Sequence, residues 1–343
     1  MVCLAHRLLR RFGWPVPVPS ASPARASSAP LPPTAAPKAS RRTGRGLALL
    51  LLGGLTAAAA SAAGGQARAA SPLDLLNGLA KLGPHQVETG IAYGPGTRHQ
   101  LDIYRPVGKA GPRPVIVFFY GGSWEEGDRA MYRFVGAALA NQGFLTVIPD
   151  YRVYPEVRFP DFLRDGAQAV KWARDHAAAY GGDPREIVLM GHSAGAHIAA
   201  MLTLDRTWLG AVGLTPRRDI RGMVGLAGPY DFLPLKDAKL QTIFGPQDQL
   251  ARTQPITFAD GRSPPVFLAA GRFDFTVDPG NTTRLAARIR AQGGVATDVL
   301  YPGVDHATII GAVSPALRLL APVLSDTTAF VRSVTRSAVP AAE

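Results

Sequence analysis

Gly191-His192-Ser193-Ala194-Gly195 places a serine between two glycines, directly after the apolar run 187–190 and ahead of a helix-like stretch at 194–204. A serine hydroxyl is a weak nucleophile at neutral pH. It needs an exposed turn, a paired base and N–H groups aimed at the charge that develops on the attacked oxygen. A strand-turn-helix context supplies the turn, because the glycines let the strand and helix approach while the serine takes a strained conformation. Ser193 is therefore read as a nucleophile.

The base is expected after the last strand, where Pro302-Gly303-Val304-Asp305-His306 follows the apolar segment 297–301. His306 fits that place. His197 falls inside the helix-like stretch and suits a core or surface role, and His192 lies in the turn itself and points elsewhere. The acid that orients the imidazole is expected one strand earlier, in the chain order Ser, Asp, His. Gly271-Arg272-Phe273-Asp274 ends the run 266–271 and nominates Asp274. Asp278, before Pro279, suits helix capping or solvent better, and Asp305 is the third candidate. Backbone donors are expected from Ala194, which follows the nucleophile, and from Gly122 and Ser123 in Tyr120-Gly121-Gly122-Ser123-Trp124. Trp124, and Tyr230 in Gly228-Pro229-Tyr230-Asp231, are candidates to line an acyl or alcohol pocket, with core packing the alternative for each.

Seven candidate strands, most of them short, apolar, β-branched runs, must carry these turns: 100–104, 115–120, 144–149, 187–190, 222–227, 266–271 and 297–301. Such runs, lacking polar alternation, suit strands covered on both faces. Helix-like segments alternate with them at 129–142, 160–180, 194–204, 281–292 and 315–331. In the second of these, Leu163, Ala167, Val170 and Ala173 recur every three or four residues as one core-facing stripe. Strands alternating with helices predict an α/β fold: a mostly parallel, doubly wound sheet flanked by helices. Residues 231–264 break the alternation and read as a crossover, too short for a large lid domain.

Tyr120–Trp124 with Gly127-Asp128, the stretch Asp150-Tyr151-Arg152-Val153-Tyr154-Pro155-Glu156, the serine turn, the 271–274 turn and His306 occur in an order that resembles a known group. It is the α/β-hydrolase carboxylesterases related to feruloyl esterases and the hormone-sensitive-lipase group, and the resemblance runs from about residue 87 to 325. It implies an α/β-hydrolase fold and acyl-ester hydrolysis with no cofactor. In that group the loop usually begins His-Gly-Gly, whereas Tyr120 stands first here. Glycine amides still supply the donors, but a phenol has to replace the bracing hydrogen bonds of a histidine. Asp150-Tyr151-Arg152 is read as structural, with Arg152 tying down the oxyanion loop or pairing with Glu156 or Asp165.

Charge and composition narrow the alternatives. Of the formal charge of +12, nine cations fall within residues 1–70, which hold no Asp or Glu. The remaining chain carries only about +3, a weak field for phosphates, so no nucleic-acid partner is expected. The single cysteine, Cys3, excludes an intrachain disulfide and a Cys-based metal site. Residues 14–40, rich in Pro, Ala and Ser, are expected to be disordered. Arg41-Arg42-Thr43-Gly44-Arg45, the uncharged run 47–63 and Ala67-Arg68-Ala69 read as an export signal cleaved after Ala69, with a retained membrane anchor through 47–63 as the alternative. The expected organisation is a leader over 1–70, a catalytic domain over 71–335 and a tail over 336–343. The leading function is hydrolysis of small or medium carboxylic esters, with a small-molecule ester as partner. Amide or formamide hydrolysis, or a small peptidase activity, shares the same chemistry. An exported binding protein that kept the fold without the chemistry is the competitor from another class.

Overall fold

The computed structural model describes residues 72–108 and 111–336. The expected leader, its apolar run 47–63 and the tail beyond Arg336 lie outside the described residues. Eight strands form one sheet: β1 (His85–Ala92), β2 (Gln100–Pro106), β3 (Arg113–Phe119), β4 (Leu145–Pro149), β5 (Gly182–His192), β6 (Ile220–Leu226), β7 (Val266–Gly271) and β8 (Ala296–Tyr301). Its order is β1-β2-β4-β3-β5-β6-β7-β8. The β1–β2 and β2–β4 pairs are antiparallel, and every other pair is parallel. The flanking helices are α1 (Pro72–Ala80), α2 (Arg133–Asn141), α3 (Asp161–His176), α4 (Ala194–Leu204), α5 (Arg206–Gly210), α6 (Pro216–Asp219), α7 (Ala238–Phe244), α8 (Gly280–Ala291), α9 (His306–Gly311) and α10 (Val323–Arg336).

The strands without polar alternation are the buried ones. Every residue of β4 and β7 is buried, as are the last seven of β5, because helices cover both faces of a parallel sheet. Phe118, Phe119, Ile116 and Val117 on β3 are fully buried among them, each such side chain contributing about 1.5–3 kcal/mol of transfer free energy. The stripe of Leu163, Ala167, Val170 and Ala173 on α3 is buried as its spacing predicts. Helix α4 is buried on all sides, which its run of Ala, Ile, Met and Leu permits and a polar face would forbid.

Three expectations need correction. The edge strand β1 has no apolar alternation to reveal it, since most of its residues face solvent. The helix expected over 129–142 is a 3-10 turn at Arg129–Tyr132, capped by Asp128, followed by α2. The helix expected over 315–331 starts at Val323 instead. Pro322 lacks an N–H and is tolerated only where a helix begins, so the last helix runs from there to Arg336.

The parallel register brings the functional turns to one edge. Phe119 pairs with Gly191, His192 with Leu226, Leu226 with Ala269, and Gly271 with Tyr301. The turns that leave these strand ends carry Gly121–Trp124, Ser193, Tyr230, Asp274 and His306.

Candidate active site

The serine turn is shaped by close approach. Ser193 has φ 54° and ψ −123°, a left-handed conformation that costs a non-glycine residue of order 1–3 kcal/mol and recurs where a side chain must be presented. A Cβ on Gly195 would lie 2.1 Å from the Phe119 carbonyl oxygen, and one on Gly191 would lie 2.2 Å from the Gly195 carbonyl oxygen. Only glycine lets α4 begin so close to β3 and β5. Ser193 is thereby lifted out of the sheet edge yet left only 8% exposed.

His306 is the first residue of α9. Asp305 caps that helix by accepting from the amides of Ala307 and Thr308, while the Asp305 amide donates to the Thr308 hydroxyl. This capping box fixes where the helix begins, and so where the imidazole stands. Ser193 Oγ lies 2.9 Å from His306 Nε2, and His306 Nδ1 lies 2.8 Å from Asp274 Oδ2. A carboxylate only accepts, so Nδ1 carries the proton and Nε2 is left to accept from the serine hydroxyl. Asp274 is held in turn: its Oδ1 accepts from the amides of Thr276 and Val277 at 2.9 and 2.8 Å. Asp278 instead accepts from the Gly280 amide and pairs with Arg284 at the start of α8. The three residues nominated from chain order are thus brought together.

Beside them the loop after β3 takes an uncommon path. Gly122 has φ 141°, and Ser123 and Trp124 have φ 51° and 59°. A Cβ on Gly122 would collide with the Glu126 carbonyl oxygen at 2.1 Å, and one on Gly121 would lie 2.9 Å from the Ser193 Cβ. The Gly122 and Ser123 amides donate to no described acceptor, and Ala194 stands first in its helix, where an amide has no intrahelical partner. Among the described residues the three nominated amides therefore have no acceptor.

The phenol at position 120 is braced by Asp150 and Tyr151, from the stretch read as structural, and by Arg98 and Arg129, which sequence reasoning did not find. Tyr120 Oη donates to Asp150 Oδ1 at 3.0 Å and accepts from Arg98 Nη2 at 2.9 Å. Arg98 also donates to the carbonyls of Gly127 at 2.7 Å and Tyr151 at 2.8 Å. Tyr151 Oη donates to the Tyr120 carbonyl at 2.7 Å, and the two rings stack with centroids 4.6 Å apart. Burial first, and then the Asp150 charge, push the Tyr120 phenol well above its ordinary pKa, so it stays a donor. Arg129 completes the brace. Its amide donates to Asp150 Oδ1 at 2.7 Å, its guanidinium pairs with the other Asp150 oxygen, and it reaches Asp102 at 2.7 Å and Gln100 at 2.9 Å. Nothing near Arg98 or Arg129 in sequence signals this, because their partners lie 21 to 53 residues away in the chain. Arg152, one of the candidates for tying down the loop, forms a bidentate pair with Asp165.

The two pocket candidates need correction. Tyr230 is 0% exposed. Its ring fills the space left by Gly225 and Gly228, where Cβ atoms would meet it at 2.0 and 2.4 Å, and its amide is held by Asn281 at 2.8 Å. It is core. Trp124 is 4% exposed and packs among Phe244 at 4.7 Å, His197 at 5.1 Å and Phe232 at 6.0 Å between ring centroids. It fills the gap between the oxyanion loop and the 231–264 crossover and leaves a ligand almost no surface. That crossover is tied to the loop by Lys239 and Glu125, 2.8 Å apart.

Two histidines of the site are buried. Burial, then the neighbouring His306, hold His192 down to about 3, and burial holds His197 down to about 4, although its Nε2 donates to the Thr253 carbonyl. Unfolded, each would take up a proton near pH 6.5; folded, each refuses it until far lower. Their contribution to stability is full above about pH 6.5 and is lost as pH falls towards 4, at roughly 1.4 kcal/mol per pH unit for each. The urea midpoint is expected to fall clearly between pH 7 and pH 5; an unchanged midpoint contradicts the burial of two neutral imidazoles.

With this geometry in place, comparison with known proteins is informative. The BD-FAE family model matches residues 101–289, more than half of the chain. The chain belongs to the BD-FAE family. Relatives of this BD-FAE protein include isoprenylcysteine α-carbonyl methylesterase ICME of Arabidopsis thaliana, 30% identical over 241 residues, covering 64% of this chain and 56% of that protein. The probable carboxylic ester hydrolase LipM of Mycobacterium tuberculosis is 30% identical over 236 residues, covering 63% of this chain and 54% of its own. The BD-FAE chain spans about half the length of these relatives. Among solved structures, a truncated carbohydrate esterase from gut microbiota superposes with a TM-score of 0.65 at 22% identity, covering 73% of this chain and 96% of that one. Thermogutta terrifontis esterase 2 phosphonylated by sarin gives 0.63 at 23%, covering 72% and 95%. The fold is that of the α/β-hydrolases, as the motif order implies.

Proposed function

We propose that this BD-FAE protein is a carboxylic ester hydrolase that works through an acyl-enzyme on Ser193. One observation carries the reading: Ser193, His306 and Asp274 form a hydrogen-bonded chain of 2.9 and 2.8 Å. Ser193 Oγ attacks the ester carbonyl carbon as His306 Nε2 takes its proton. The carbonyl oxygen becomes an oxyanion within reach of the Gly122, Ser123 and Ala194 amides, and Asp274 stabilises the imidazolium. The imidazolium returns the proton to the departing alcohol. A water, deprotonated by the same imidazole, then attacks the acyl carbon, and Ser193 leaves as the free hydroxyl. The names of the relatives and of the superposed esterases support ester substrates in preference to amides, formamides or peptides.

Small or medium esters are the proposed substrate class. Crossover 231–264 supports it, since Phe232 and Phe244 pack inward on Trp124 instead of forming a separate cap. Export, with 47–63 as signal or anchor, belongs to the same proposal. A fluorophosphonate probe is expected to label the wild-type protein once per chain and to leave Ser193→Ala unlabelled. Side-by-side turnover of aryl esters, formylated aromatic amines and peptide anilides is expected to favour the esters. An unlabelled wild type would instead favour a binding protein without the chemistry, and faster anilide turnover a peptidase.

A further inference from the structure

His192 is unused by the chemistry above, yet both of its ring nitrogens are engaged inside the site. It is 1% exposed. Nε2 lies 3.0 Å from the backbone carbonyl oxygen of His306, and Nδ1 lies 3.3 Å from Tyr132 Oη. That same phenol oxygen receives the Gly121 amide at 3.2 Å. Gly121 precedes the donor Gly122, and His306 is the base, so the series of contacts joins the two halves of the site.

Its proton arrangement is determined. A carbonyl oxygen only accepts, so Nε2 carries the hydrogen. The ring is neutral, held down to about 3 by burial and by His306, so Nδ1 presents a lone pair. Tyr132 must then donate to Nδ1, and its oxygen is left to accept from Gly121. Burial keeps the Tyr132 phenol protonated well above its ordinary range. The direction runs unbroken from the Gly121 N–H through Tyr132 O–H and His192 to the carbonyl of His306. Distances of 3.2 and 3.3 Å are at the long end for hydrogen bonds.

We infer that His192 and Tyr132 are positioning residues that hold the oxyanion loop and the backbone of the base in one register. The inference rests on the ester-hydrolase reading. Donors and base must be placed together to a few tenths of an ångström at the moment of attack, and a 1 Å error can cost about 100-fold in rate. Contact reinforces the bonding, since a Cβ on Gly121 would lie 3.0 Å from His192 Nδ1.

Tyr132→Phe removes two links while keeping the ring that stacks 5.8 Å from Tyr120 and lies tilted 5.6 Å from Phe118. Its kcat on p-nitrophenyl acetate is expected to fall about tenfold or more with KM within about twofold, as misplacement acts on the transition state. His192→Asn is expected to do the same. The double variant should lose little more than the worse single one, because both break one chain. A purely structural role would lower the melting temperature and leave kcat alone. Folded Tyr132→Phe with kcat within about twofold of wild type overturns the inference. Nitrogen-15 shifts of the wild-type His192 ring supply a readout independent of turnover. A neutral Nε2–H tautomer at pH 5 is expected, and a charged ring or an Nδ1–H tautomer overturns the relay. Failure of the wild type to turn over esters would sink the hydrolase reading while leaving that ring measurement to judge the relay. Failure of the relay leaves wild-type turnover intact.

Discussion

Ser193→Ala and His306→Ala are each expected to lower kcat on p-nitrophenyl acetate by about ten-thousand-fold to a millionfold, with KM little changed. Serine and imidazole act as one unit: the hydroxyl is activated only through the 2.9 Å contact to Nε2, and the water that the imidazole later activates has an acyl-enzyme to attack only once Ser193 has formed it. The double variant should therefore be about as slow as either single one. Removing one link leaves the amides of Gly122, Ser123 and Ala194 to supply the residual acceleration. Asp274→Asn tests the third link differently. An amide cannot accept from Nδ1–H without turning its oxygen towards the ring, and that oxygen cannot replace a carboxylate in stabilising the imidazolium. A drop of roughly ten-thousand-fold is expected without loss of fold: if the amide oxygen keeps capping Thr276 and Val277, the NH2 group faces Nδ1 and favours the wrong imidazole tautomer. Activity in Ser193→Ala within tenfold of wild type would remove the nucleophile assignment outright.

The second large effect is on stability. Asp150 is buried, and its two oxygens receive the Tyr120 hydroxyl, the Arg129 amide and the Arg129 guanidinium. Asp150→Ala strips one of two charge partners from a partly buried arginine, leaving it Asp102, and the acceptor from a buried phenol. Breaking a buried pair from one side typically costs about 3–5 kcal/mol, more than the pair contributes when intact. A urea midpoint lowered to match is expected, together with reduced kcat in whatever fraction stays folded, since Tyr120 begins the oxyanion loop. Asp150→Asn should cost less, because it still accepts from Tyr120 and from the Arg129 amide. A cost below about 1 kcal/mol for Asp150→Ala would mean that the network is solvent-screened and not a brace.

The sheet was legible wherever burial on both faces forced an uninterrupted apolar run, as at 266–271, which matches β7 residue for residue. The edge strand β1 was not, because one exposed partner-less side asks nothing of its composition. The Ser193, Asp274, His306 set was legible because strand ends in a parallel sheet share one edge, so position after a strand implies proximity. Arg98, Arg129, Tyr132 and the orientation of His192 follow from no such rule. They meet the site across 11 to 114 residues of chain, and nothing in local periodicity records a pairing of that kind. For Trp124 and Tyr230 the pocket and core readings both stood open, because an aromatic residue at a strand end reads alike whether it lines a pocket or fills the core.

Arg98 lies in the turn between β1 and β2, and β1 is the most exposed strand of the sheet. Edge hairpins with few buried contacts open at a lower free energy than the centre of a fold. Each such opening would withdraw the guanidinium from Tyr120 and Gly127 while β5, β7 and β8 stay paired. On slow heating, turnover should thus fade ahead of the cooperative melt, with the nucleophile and its base still in contact and only the loop that receives the oxyanion adrift.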